Sequence, residues 1–167
     1  MRLLLAIPLV LLVLGGCSSS RIERYYTAEN APKATAPEGV SVSLLYYKQS
    51  MRHFYATLQV TNNSIGTVTF TRAGDGTGDV LLDVTGTTYI AEEPTHNTWT
   101  PWTGIVERSP DQIGRLSLAP GASGEISLRW AFPTTLSTYA FDWTMRFHGL
   151  KRGDATVPDV VLTSPGK

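Results

Sequence analysis

From Gly39 onward, apolar and polar residues alternate with a period of two. Val40, Val42, Leu44 and Tyr46 are interleaved with Ser41, Ser43 and Leu45. Phe54, Ala56, Leu58 and Val60 alternate with Tyr55, Thr57, Gln59 and Thr61. Shorter sets follow at Val68–Phe70 and Val80–Val84, then longer ones at Ile126–Phe132 and Tyr139–Phe147. Successive side chains of a strand point to opposite faces, so this period predicts half-buried strands with one apolar face. Weaker strand candidates are Thr87–Ala91, Arg115–Leu118 and Thr156–Leu162, and Pro158 predicts a sheet edge for the last. Turn residues separate the sets: Asn62-Asn63-Ser64, Gly74 to Gly78, Pro120-Gly121 and Pro133-Thr134-Thr135. No long stretch carries apolar residues at helical spacing. The pattern predicts an all-β chain: an antiparallel immunoglobulin-like β-sandwich of about seven to nine strands over residues 39–167, with under about 10% helix. Its expected core contains Leu58, Val60, Leu128, Trp130, Phe141 and Trp143.

The pattern before residue 39 is different. Arg2 precedes an apolar run, Leu3 to Leu14, broken only by Pro8. A spanning helix needs about 20 residues, so the run fits the apolar core of a signal peptide. Leu14-Gly15-Gly16-Cys17 resembles the bacterial lipobox, with Gly15 where Ala or Ser is more usual. That resemblance implies cleavage before Cys17, a diacylglycerol on its thiol and a membrane anchor. Cys17 is the only cysteine, so no disulfide is expected despite an oxidising compartment. Ser18 rather than Asp follows it, which by resemblance to Gram-negative sorting implies the outer membrane, facing the periplasm. Residues 28–39 are rich in Ala, Pro and Thr and read as a linker. The expected organisation is a lipoprotein signal peptide over 1–16, a lipidated cysteine with a flexible tether over 17–38, and the sandwich over 39–167.

Three short motifs carry a further resemblance: Val60-Thr61-Asn62-Asn63 at a strand end, Leu118-Ala119-Pro120-Gly121 at a turn, and Trp130-Ala131-Phe132-Pro133 at another strand end. In this order they resemble bacterial extracytoplasmic immunoglobulin-like domains of the DUF4352 type, over about Val40 to Phe147. The resemblance implies a fold and a compartment, and no catalytic residue.

Composition narrows the chemistry. Lys and Arg number 14, as do Asp and Glu, so the formal net charge is zero. No basic excess points to nucleic acid. His53, His96 and His148 stand far apart, with no ligand spacing between them. Asp75-Gly76-Thr77-Gly78-Asp79 has the look of a calcium loop but lacks the alternating oxygen ligands and the distant Glu. Gly121-Ala122-Ser123-Gly124 misses the spacing of a nucleophile elbow, and adjacent Glu92 and Glu93 point to opposite faces of a strand. The expectation is a protein that is not an enzyme and holds no cofactor and no metal.

Glu92 to Gln112 has no clear period. It holds Trp99, Pro101 and Trp102, the candidate partner-binding residues. Loops of this length without regular structure are often functional, and Trp and Pro suit protein contacts or stacking on sugar rings. The bland reading is that these tryptophans plug one end of the sandwich. The functional expectation is a membrane-anchored binding or assembly module with an envelope protein as partner. The alternative is a lipoprotein that binds a glycan or cell-wall fragment through the same tryptophans.

Overall fold

A computed structural model describes residues 21–92, 97–100, 104–107 and 115–165. In chain order its strands are β1 (Arg21–Tyr25), β2 (Lys33–Thr35), β3 (Val40–Ser50), β4 (His53–Asn62), β5 (Val68–Thr71), β6 (Val80–Val84), β7 (Thr87–Ile90) and β8 (Asn97–Thr100). They continue as β9 (Gly104–Glu107), β10 (Arg115–Leu118), β11 (Ser123–Ala131), β12 (Trp143–Phe147), β13 (Lys151–Arg152), β14 (Ala155–Thr156) and β15 (Val160–Thr163). There is no helix among the described residues.

One sheet runs β1-β3-β4-β11, with β2 also paired to β3. The facing sheet runs β15-β12-β6-β7. The orders β3-β4-β11 and β15-β12-β6-β7 correspond to A-B-E and G-F-C-C′ of an immunoglobulin-like sandwich. A smaller sheet, β10-β5-β13-β14, extends it at the end where β4 finishes and β11 begins. After β7 the chain changes sheets: Glu92 bridges Arg129 of β11, with its amide on the Arg129 carbonyl at 2.7 Å.

The alternation of apolar residues places the core. Leu44, Leu58, Val60, Leu128 and Trp130 meet Leu82, Val84, Trp143, Met145 and Phe147. Phe54 lies edge-on to both indoles, at 5.7 Å from Trp130 and 5.2 Å from Trp143. All six residues expected in the core are buried. A buried indole removes about 200 Å² from water, worth roughly 5 kcal/mol. Trp130 also donates its Nε1–H to the Val80 carbonyl at 3.0 Å, fastening β11 to the opposite sheet.

The structure departs from expectation at four places. First, residues 21–25 and 33–35 are not tether: they form β1 and β2, which pair with β3. Second, the register of β3 shifts between Leu44 and Tyr46. A bulge turns the following side chains over, so Tyr47 joins the core and Tyr46, expected beside Leu44, lies on the other face. Third, β12 begins at Trp143, not Tyr139. The carbonyls of Tyr139 and Phe141 accept instead from Gln49 Nε2, at 2.7 and 3.0 Å, so this stretch is held by a side chain and not by a ladder. Fourth, the segment without a period contains a hairpin, β8–β9.

Candidate functional site

The hairpin is the first candidate. Its register, from Asn97↔Glu107 to Thr100↔Gly104, pairs Trp99 with Ile105. Only residues 101–103 separate the two strands. Trp99 is therefore a strand position, and among the described residues β8 and β9 pair only with each other. Pro101 and Trp102, and likewise Cys17, lie outside the described residues.

A cavity of about 140 Å³ lies between β1, β3 and the start of β12. Ile22, Tyr26, Tyr47, Phe141 and Trp143 wall it, with Arg24 on the same strand as Ile22. Tyr26 stacks on Tyr47 at 6.4 Å, and Tyr47 meets Trp143 edge-on at 5.7 Å. Trp143 Nε1–H is buried without a hydrogen-bond partner among the described residues. The volume holds about four or five waters and falls short of the roughly 300 Å³ at which ligand pockets begin. The cavity is a gap beneath a docked strand and too small for an organic ligand of ordinary size.

Over this gap, β1 is fastened by a polar knot. Glu23 accepts from the hydroxyls of Tyr25 at 2.6 Å and Tyr46 at 2.9 Å, and Arg21 stands 3.5 Å away. The bond from Tyr25, then that from Tyr46 with help from Arg21 and Lys48, holds the Glu23 carboxyl below its ordinary range against the opposing effect of burial. Burial, followed by the bond to Glu23, pushes the Tyr46 hydroxyl far above the usual phenol range.

The aspartates of the Gly74–Gly78 turn serve the turn itself. Asp79 is fully buried; its Oδ2 accepts the amides of Gly74 and Gly76 at 2.9 and 2.8 Å, and its Oδ1 lies 3.1 Å from Arg72 Nε. Asp75 Oδ1 takes the hydroxyl and amide of Thr77, and these bonds hold its carboxyl below the usual range. Asp79 Oδ2 and Asp75 Oδ1 are thus taken up by their own loop, and Asp79 Oδ1 faces Arg72. Among the described residues no three His, Cys, Asp or Glu side chains are grouped to hold a metal ion. His148 Nδ1 faces Asp159 Oδ1 at 2.6 Å, joining β12 to the start of β15, and His53 opens β4.

The three motifs that carried the resemblance meet the rest of the fold as fasteners. Asn62 joins the Leu118 turn, Trp130 crosses to β6, and the Phe132 amide bonds the Arg52 carbonyl at 2.8 Å. No family model, no curated protein and no solved structure matches the chain.

Proposed function

We propose that this chain is a lipid-anchored envelope protein, acylated on Cys17, whose sandwich acts as a non-catalytic binding or assembly module in the periplasm. The observation that carries the binding role is the β8–β9 hairpin. It is inserted into an immunoglobulin-like frame between the β7 edge and β10, and it pairs with no other sheet among the described residues. It carries Trp99, and its two strands are joined through Pro101, Trp102 and Thr103. Indoles are the side chains that most often dominate protein interfaces, and a proline in the connection lowers the entropy lost on docking. Anchoring adds to this, because a partner confined to the same membrane meets the domain at high effective concentration.

The test places a photo-activated cross-linking residue at position 99 or 102 of the full chain in its native envelope. Discrete protein adducts from these positions, and none from Gly86 in the β6–β7 turn, are the expected result. An adduct that collapses on digestion of cell-wall glycan transfers the reading to the glycan-binding alternative. No adduct, together with a loss of several kcal/mol in the folding stability of Trp99→Ala, Trp102→Ala, makes the tryptophans core and overturns both.

A further inference from the structure

The start of β1 fixes how the domain meets the membrane, given the reading of Cys17 as the acylated residue. Only Ser18, Ser19 and Ser20 stand between Cys17 and Arg21, the first residue of β1. Four Cα steps reach at most about 14 Å. The polar headgroup layer is about 5–7 Å deep on each side of the hydrocarbon core. A cysteine whose acyl chains lie in that core therefore holds Arg21 within, or immediately above, the headgroups.

Pairing then identifies the part of the domain at this level. Arg21 is opposite Ser50, so the Ser50–His53 turn shares its height. The Met51 carbonyl accepts from the Leu136 amide and the Arg52 carbonyl from the Phe132 amide, both at 2.8 Å, and Gln49 holds the Tyr139 carbonyl. The segment from Pro133 to Tyr139 thus lies at the same end. This end presents Arg21 and Arg52 to solvent, with Tyr139 37% exposed and Met51 half-buried. Arg52 makes no ion pair among the described residues. Between them stand the exposed hydroxyls of Thr134, Thr135, Ser137 and Thr138. Asp142 is an exposed carboxylate nearby, while Glu23 is engaged by Tyr25, by Tyr46 and, at 3.5 Å, by the half-exposed Arg21, which leaves Arg52 as this end's guanidinium without an ion pair among the described residues. Tyrosine and arginine, with an apolar body and a polar tip, are the side chains suited to a headgroup layer, and guanidinium pairs with lipid phosphate.

We propose that the sandwich stands end-on, with the Arg21, Met51–Arg52 and Leu136–Tyr139 end seated in the headgroups of a phospholipid surface. The ten-residue span of β4 then carries the opposite end about 30 Å outward. That far end holds Ile65, 97% exposed, and the Pro120-Gly121 turn.

The experiment uses the mature acylated protein, isotope-labelled, in nanodiscs of phosphatidylethanolamine and phosphatidylglycerol with a gadolinium chelate on a fraction of the headgroups. Mass spectrometry first establishes acylation of Cys17; its absence overturns the anchoring reading. With acylation present, the amide signals of Arg52, Thr138 and Tyr139 are expected to broaden several-fold more than those of Ile65 and Gly121. Equal broadening at both ends, or a gradient in the opposite direction, overturns the seating while leaving the anchor intact.

Discussion

The side-chain amide of Asn62 donates to the backbone carbonyl of Leu118 at 2.9 Å, across 56 residues of sequence. The same nitrogen donates to the Gly66 carbonyl at 2.8 Å, while Oδ1 accepts the amide and hydroxyl of Ser64 at 3.0 and 2.7 Å. The Asn62 carbonyl meanwhile takes the Gly121 amide at 2.7 Å. Asn62 is fully buried and every polar group of its amide is engaged. One side chain thus ties the β4–β5 turn to the β10–β11 turn.

Replacing it should be costly. Asn62→Ala leaves the buried Leu118 carbonyl without this donor and removes the partner of the Ser64 amide, while the half-buried Gly66 carbonyl keeps the Ser64 hydroxyl at 3.1 Å; an unsatisfied buried group costs about 1–3 kcal/mol. We expect a loss of about 3 kcal/mol, read as a lower urea midpoint. Asn62→Asp, which keeps the shape but loses the two N–H donors, should cost at least as much.

The two core tryptophans should differ in their response to phenylalanine. Trp130 has a hydrogen bond to Val80 and Trp143 has none among the described residues. Trp130→Phe should therefore lose more stability than Trp143→Phe, by about 1 kcal/mol. Either alanine variant opens a cavity and should cost roughly 3–5 kcal/mol. Equal losses for the two phenylalanine variants would show that the bond to Val80 contributes nothing.

Gly149 has φ +85°, and a Cβ added there would stand 2.6 Å from the Gly78 Cα. Gly149→Ala must part the Gly74–Gly78 turn from the link between β12 and β13, in addition to straining its own backbone. The expected cost is about 2–4 kcal/mol, read from denaturant unfolding.

Glu23 should make the attachment of β1 sensitive to acid. Its folded carboxyl titrates below the ordinary 4.5, so the folded state holds fewer protons than the unfolded one near that pH. The stabilisation is complete above 4.5 and is lost as the pH falls through the folded value. Glu23→Gln should be less stable than the parent at pH 7, and the difference should shrink as the pH is lowered past 4.5. A gap that stays constant would show that charge plays no part.

Much of the fold was legible because one sheet face is apolar and the other polar. Nine strands, β3 to β7, β10 to β12 and β15, carry that signal. The rest was hidden for particular reasons. Leu44-Leu45-Tyr46-Tyr47 is apolar throughout, so the alternation cannot show where the bulge inverts it. In β1, Ile22 is the single aliphatic residue, and Tyr46 closes over Glu23 only in three dimensions. In β8 and β9, Asn97-Thr98-Trp99-Thr100 holds one apolar residue and Gly104-Ile105-Val106-Glu107 two adjacent ones, so neither shows an alternation, and Pro101 follows β8 at once. The candidate site was legible only as residue types: Trp99 is a strand position within a segment whose sequence has no clear period.

The direction of β1 has a mechanical consequence. Its ladder with β3 runs from Arg21↔Ser50 to Tyr25↔Tyr46, and the chain leaves toward Cys17 from the Arg21 end. Inter-strand hydrogen bonds lie across the strand axis. A tug on the N-terminal side of Arg21, directed along the strand, therefore strains all the rungs together. A tug directed across the strand at Arg21 would instead open them one after another, like a zip. The five-residue strand is thus loaded in shear, and its place in the sheet resists such a pull without the staple of a covalent cross-link.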